Sequence, residues 1–76
     1  MVTTSTALDL ETIARRDFEA GRLPQARDGY LAASDAWSSI ADRLTRHGET
    51  AASETFRQNA ERARRLADNV IWHAAS

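Results

Sequence analysis

The stretch Glu19–Tyr30, EAGRLPQARDGY, decides how this chain folds. Gly21 suits the left-handed position just past a helix end, because it has no Cβ to clash there. Pro24 suits the first turn of a new helix, where its missing N–H costs nothing and its fixed φ is already helical. Ala26 and Tyr30 then stand four residues apart, the interval that places two side chains on one helix face. A helix end, a reversal and a helix start fall within a few residues, and the expected product is a helical hairpin.

Helical periodicity continues outward in both directions. Before Gly21, the residues Ala7, Leu10, Ala14 and Phe18 fall on one face, and Thr6 followed by Asp9 resembles a capping box. This predicts a helix over about 6–20. After Pro24, the stripe Ala26, Tyr30, Ala33, Trp37, Ile40 and Leu44 alternates spacings of four and three, which makes one buried seam. His47 and Gly48 end that helix, predicted over 24–47, with the imidazole at the negative dipole end. A third helix is predicted over 51–73, with the seam Ala52, Phe56, Asn59, Ala63, Leu66 and Val70. Glu61 with Arg65, and Arg64 with Asp68, stand four apart on its outer faces, each pair worth about 0.2–0.5 kcal/mol. No stretch alternates with the period of a strand. Short connections make neighbouring helices antiparallel. The expected fold is all-α, an up-down-up three-helix bundle over 6–74, with residues 1–5 as a flexible Thr/Ser-rich lead-in.

At 76 residues the chain makes one small domain. Domains of this size bury only about 60% of the surface that their unfolded chain exposes. Ten basic and eleven acidic residues leave a net charge of −1, so nothing draws the whole molecule toward a polyanion. Every basic residue is Arg and they are scattered, which reads as composition rather than as a recognition patch. The local groups Arg15–Arg16 and Arg57, Arg62, Arg64, Arg65 are interleaved with Asp17, Glu19, Glu61 and Asp68, which argues against a nucleic-acid-reading helix. There is no Cys, and so no disulfide, thiolate nucleophile or Cys-based zinc site. MVTTSTALDL lacks a basic segment followed by an apolar one, and no apolar run reaches the roughly 20 residues of a membrane span. A cytoplasmic protein is expected.

Catalytic chemistry finds little footing. His47 and His73 stand near two helix ends, and nothing sets Ser38, Ser39 or Ser53 on a strained turn. His47 with Glu49, and His73 with Asn69, give two potential ligands each, short of the three or four that zinc needs. No catalytic residue, metal ligand or cofactor is assigned. Two residues are left with open readings. Trp72 shares the outward face of Glu61, Arg65 and Asp68, and stacks on an Arg, marks a protein contact, or folds back onto the bundle if the helix frays after Val70. Asn59 in the third seam is either a buried polar group with a partner or a place where the seam opens.

A Gly turn, an Ala where helices touch and a Tyr packing back are also the pattern of a single tetratricopeptide-type hairpin. The stretch ALDLETIARRDFEAGRLPQARDGYLAAS resembles the first two helices of the MIT (microtubule interacting and trafficking) domain, through Ala7, Leu8, Leu10, Ala14, Gly21, Ala26, Tyr30 and Ala33. FRQNAERARRLADNV resembles its last helix through Phe56, Arg57, Ala67, Asp68 and Val70, while Phe18 and Leu66 depart from the pattern. The resemblance implies a non-catalytic adaptor that binds a short, helical segment of a partner protein in a groove between helices. Beside the core seam, Ala60, Arg64, Ala67 and Ile71 form one stripe of the third helix, small, cationic, small and apolar. Leu31, Asp35, Ser38 and Asp42 of the second helix would line the other wall, with Asp68 and Trp72 flanking. The alternative is that this stripe is a wide core face. Two other functions stay open: a homodimer that buries Trp72, and a helical cap fragment, because ARDGYLAASDAW also resembles the cap region of some α/β-hydrolases.

Overall fold

The computed structural model describes residues 2–75, with side chains as far as Trp72. It contains three α-helices: α1 (Thr4–Glu19), α2 (Leu23–Arg46) and α3 (Thr50–Ala75). They run up, down and up, with buried clusters around Trp37 and around Tyr30, and no strand occurs among the described residues. The Cα envelope measures 43 × 20 × 12 Å. Its length is that of α3, whose 26 residues rise about 1.5 Å each. The envelope is shallow because α1 and α3 both pack on α2 while their own backbones scarcely approach each other.

Both turns are built the same way. Gly21 (φ 80°) and Gly48 (φ 79°) take the left-handed position. The N–H of Gly21 donates to the Phe18 carbonyl and that of Arg22 to Asp17, while the N–H of Gly48 donates to Thr45 and that of Glu49 to Leu44. This is the Schellman pattern, which satisfies the orphan carbonyls of a helix end. Arg22 and Glu49 then accept the first bonds of the next helix, from Ala26 and Ser53. Pro24 lies in the first turn of α2, as its ring requires.

The start of α1 differs from the sequence expectation. Thr3, not Thr6, is the N-cap: its Oγ1 accepts from the Thr6 N–H at 3.2 Å. A hydroxyl one turn earlier starts the helix sooner and captures the N–H of Thr6 itself, so Thr6 becomes a helical residue and Asp9 plays no capping part. Val2 packs against the core, and its carbonyl accepts from Arg43 Nη2 at 2.8 Å.

Small residues set the helix spacing. Gly29 stands opposite Ala14, where an added Cβ would come within 2.9 Å of the Ala14 Cβ. This is why a helix breaker is tolerated in mid-α2: it lets α1 approach closely. The predicted α2 seam is buried, with Leu44 at its edge, but Ser34, Ala36 and Ala41 are buried as well. A central helix covered on two sides needs a wider inward face than one stripe supplies.

On α3 the buried line is Ser53, Ala60, Ala63, Ala67 and Val70, with Phe56 partly covered. It lies one residue along from the predicted seam at three places. Ser53, Ala60 and Ala67 replace Ala52, Asn59 and Leu66, which are only half-buried. At Ala60 and Ala67 close packing favours the smaller side chain, at Ser53 a hydrogen bond favours the hydroxyl, and a second hydroxyl, that of Ser34, reinforces the contact. Ser34 Oγ donates to the Ala60 carbonyl at 2.9 Å, and Ser53 Oγ to the Ala41 carbonyl at 3.0 Å. Trp37 and Phe56 supply bulk, with ring centroids 5.6 Å apart and planes tilted by 30°. The outer pairs expected on α3 do not form. Glu11–Arg62 and Asp42–Arg57 join helices and Asp17–Arg22 braces a turn, while Arg27–Asp28 lies within α2.

Candidate functional site

Because α1 and α3 flank α2 without closing on each other, a cleft of about 260 Å³ opens between them. Leu8, Glu11, Thr12 and Arg15 of α1 form one wall, Arg62 and Leu66 of α3 the other, and Tyr30 of α2 lies beneath. The α1 residues recur at intervals of three, one and three, so one helix face presents them all. Leu66, expected in the seam, reaches the cleft because the seam has moved to Ala67. Phe18, Tyr30, Leu66, Asn69 and Val70 line a further hollow, and Arg62, Arg65, Leu66, Asp68, Asn69 and Trp72 another. Their shared residues join these hollows along the α1–α3 side.

One carboxylate ties the three helices together. Arg62 Nη2 donates to Glu11 Oε1 at 2.8 Å and Oε2 at 3.0 Å, and Trp37 Nε1 donates to the same Oε1 at 3.2 Å. A buried indole N–H needs an acceptor, and Glu11 meets that need from α1. Trp37 in a predicted seam signalled the requirement, but the sequence did not say which acid would answer it.

Tyr30 is 6% exposed, with its ring in the core beside Ala14, Ala26, Ala67 and Val70. Burial pushes its hydroxyl above the ordinary tyrosine range, while the Arg15 guanidinium pulls in the opposite direction, and Glu11 and Glu19 add to the upward shift.

The residues expected to bind a partner are divided by the fold. Ala60 and Ala67 are buried in the α2–α3 contact, 7% and 0% exposed. Arg64, Asp68, Ile71 and Asp35 are exposed around them, and Leu31 is half-buried. Ser34, Ser38, Arg57, Ala60, Glu61 and Arg64 line a small polar cleft on that side, and Leu23, Pro24, Arg27, Val70 and Ile71 an apolar one nearer the first turn. Trp72 projects from the other edge of α3 and is 75% exposed, so it does not fold back onto the bundle. Asn59 is half-buried, its Oδ1 accepting from Arg62 at 3.4 Å.

His47 is the exposed C-cap of α2. The pairing of His73 with Asn69 lies outside the described side chains. Among the described residues no three His, Asp or Glu side chains gather as metal ligands, and no helix is long and apolar enough to cross a membrane.

No family model, curated protein or solved structure matches the chain. The three-helix bundle is established by its own geometry.

Proposed function

We propose that this chain is a non-catalytic interaction module of MIT type, which receives a short helical segment of a partner protein in an inter-helix groove. The observation that carries the reading is the open cleft between α1 and α3, with apolar Leu8 and Leu66 on opposite walls and Tyr30 beneath. An amphipathic helix lays its apolar face into such a groove and meets charged side chains at the rim. This choice moves the partner surface away from Ala60 and Ala67, which are committed to the core. Arg64, Ile71, Leu31 and Asp35 then belong to a secondary face between α2 and α3.

The test is a display selection of random peptides on the intact chain, followed by amide shift mapping with the enriched sequences. Shifts at Leu8, Thr12, Tyr30 and Leu66 support the reading. Shifts confined to Ser38, Arg57 and Arg64 would place binding on the α2–α3 face. A selection that enriches nothing would remove peptide binding altogether.

Self-association is a second reading, favoured by the exposure of Ile71 (47%) and Trp72 (75%) on neighbouring positions of α3. Sedimentation of the wild type beside Trp72→Ala distinguishes it, since a dimer built on Trp72 would revert to monomer.

A further inference from the structure

Tyr30 and Arg15 carry an inference that rests on the proposed peptide-binding role and makes it chemically specific. The Tyr30 ring is buried, yet its hydroxyl hydrogen-bonds to no described residue and is not sealed from solvent. The residue lies beneath the cleft, and the charges of two cleft residues, Arg15 and Glu11, act on its hydroxyl. Arg15 lines the same cleft, and no carboxylate of a described residue lies within ion-pairing distance of its guanidinium. Of the charges acting on the Tyr30 hydroxyl, that of Arg15 is the strongest. The acids nearby are Glu11 and Glu19. Glu11 is spent on Arg62 and Trp37, and Glu19 is exposed at the last position of α1.

A neutral hydroxyl donor at the floor of the cleft and an unpaired guanidinium on its α1 wall are complementary to a carboxylate, which accepts from both. Leu8 and Leu66 on either side supply apolar contact. We infer that the α1–α3 cleft is a carboxylate-binding subsite, and that its occupant is a partner helix presenting an Asp or Glu flanked by apolar residues one turn away. The carboxylate would accept hydrogen bonds from Tyr30 Oη and the Arg15 guanidinium, and the apolar neighbours would cover Leu8 and Leu66. A bond from a buried neutral donor to a charged acceptor is among the stronger kinds, so its loss should weaken binding by about tenfold or more.

The chain carries its own reporter. It has a single Tyr, no Lys and no Cys, so Tyr30 is the one side chain whose ordinary titration falls in the alkaline range below Arg. A carboxylate seated on the hydroxyl disfavours tyrosinate and raises the midpoint of its absorbance titration.

The experiment uses the intact chain and a displayed library of random peptides. Enriched peptides are expected to share an acidic residue with Leu-type neighbours three or four positions away. They should lose about tenfold or more in affinity on Tyr30→Phe and on Arg15→Gln, and bind Arg64→Gln, on the opposite face, as they bind wild type. Tyr30→Phe keeps the ring and Arg15 is exposed, so circular dichroism should find both variants folded. A synthetic enriched peptide free of Tyr should raise the tyrosinate midpoint of the wild type, and its Glu→Gln or Asp→Asn counterpart should not. Enriched peptides without an acidic residue, or ones that bind Tyr30→Phe and Arg15→Gln as tightly as wild type, would overturn the subsite while leaving peptide binding intact. If nothing is enriched, both the subsite and the peptide-binding role fall.

Discussion

The two hairpins of this bundle share one turn and differ in everything beyond it. Each ends its first helix with a left-handed Gly, closes the same pair of backbone bonds and starts the next helix at once. From there α2–α3 is sewn along its length by small buried residues and by hydroxyls that donate to helix carbonyls. The α1–α2 contact buries Ala7 and Ala14, with Leu10 and Phe18 partly covered, makes one very close approach, Gly29 against Ala14, and adds polar anchors at Glu11 and Val2. Among the described residues, a hydroxyl-reinforced seam of five buried residues on α3 and a contact with two on α1 are different mechanical objects. The first is expected to open only with global unfolding, the second at lower cost. The looser helix is also a wall of the proposed groove, as a partner-accepting element would be.

The comparison can be broken hardest at Ala67. It is 0% exposed, so Ala67→Asp buries a charge with no partner in the α2–α3 seam. We expect cooperative folding to be lost, read as the disappearance of the thermal transition in circular dichroism, since total stability is only about 5–15 kcal/mol for native domains.

Gly29→Val should come next, costing about 1–3 kcal/mol through overpacking against Ala14. Its signature is regional. Hydrogen exchange should speed up in α1 while the α2–α3 amides keep their protection. Equal acceleration in all three helices would mean that the bundle opens as one unit and that the contrast between hairpins is false.

Gly21→Ala and Gly48→Ala test the part the hairpins share. Both glycines are at φ near +80° with open space where a Cβ would go, so each substitution carries backbone strain and no clash. About 1 kcal/mol is expected at each, with nearly equal denaturation midpoints for the two variants. A large inequality would mean that the Asp17–Arg22 ion pair, which braces the first turn, changes the cost of strain there.

The smallest effect concerns alkaline pH. The Tyr30 hydroxyl is raised above its ordinary value in the folded state, chiefly by burial. The folded state therefore holds this proton more tightly than the unfolded chain. That stability is fully present below the unfolded value, near 10, and is lost as pH rises through the folded one. Urea denaturation on either side of that range should find the wild type weakened at the higher pH, and Tyr30→Phe should lack this component of the loss.

The architecture was legible in the sequence because it was written locally. Gly21, Pro24, His47 and Gly48 specify turns through backbone preferences that need no partner, and the alternating four-three stripe of α2 follows from helix geometry. The N-cap was missed because Thr3, Thr4, Ser5 and Thr6 are chemically equivalent until the chain chooses one. The α3 seam was displaced for a related reason. Leu66 and Ala67 are both apolar, and hydrophobicity favours the larger, whereas a close helix contact selects the smaller.

The candidate site was less legible. Leu8, Thr12, Arg15 and Arg62 look like ordinary helix-surface residues in one dimension, and Tyr30 like ordinary core. The sequence by itself determined three helices, their order and their antiparallel connection, because those depend on neighbours along the chain. The tertiary structure decided that α1 and α3 stand apart on α2. It chose Glu11 to answer both Trp37 and Arg62, and it set Arg15 and Tyr30 around one cleft. Those pairings join residues far apart in sequence, and side-chain type alone does not say which acid meets which donor until packing has fixed the distances.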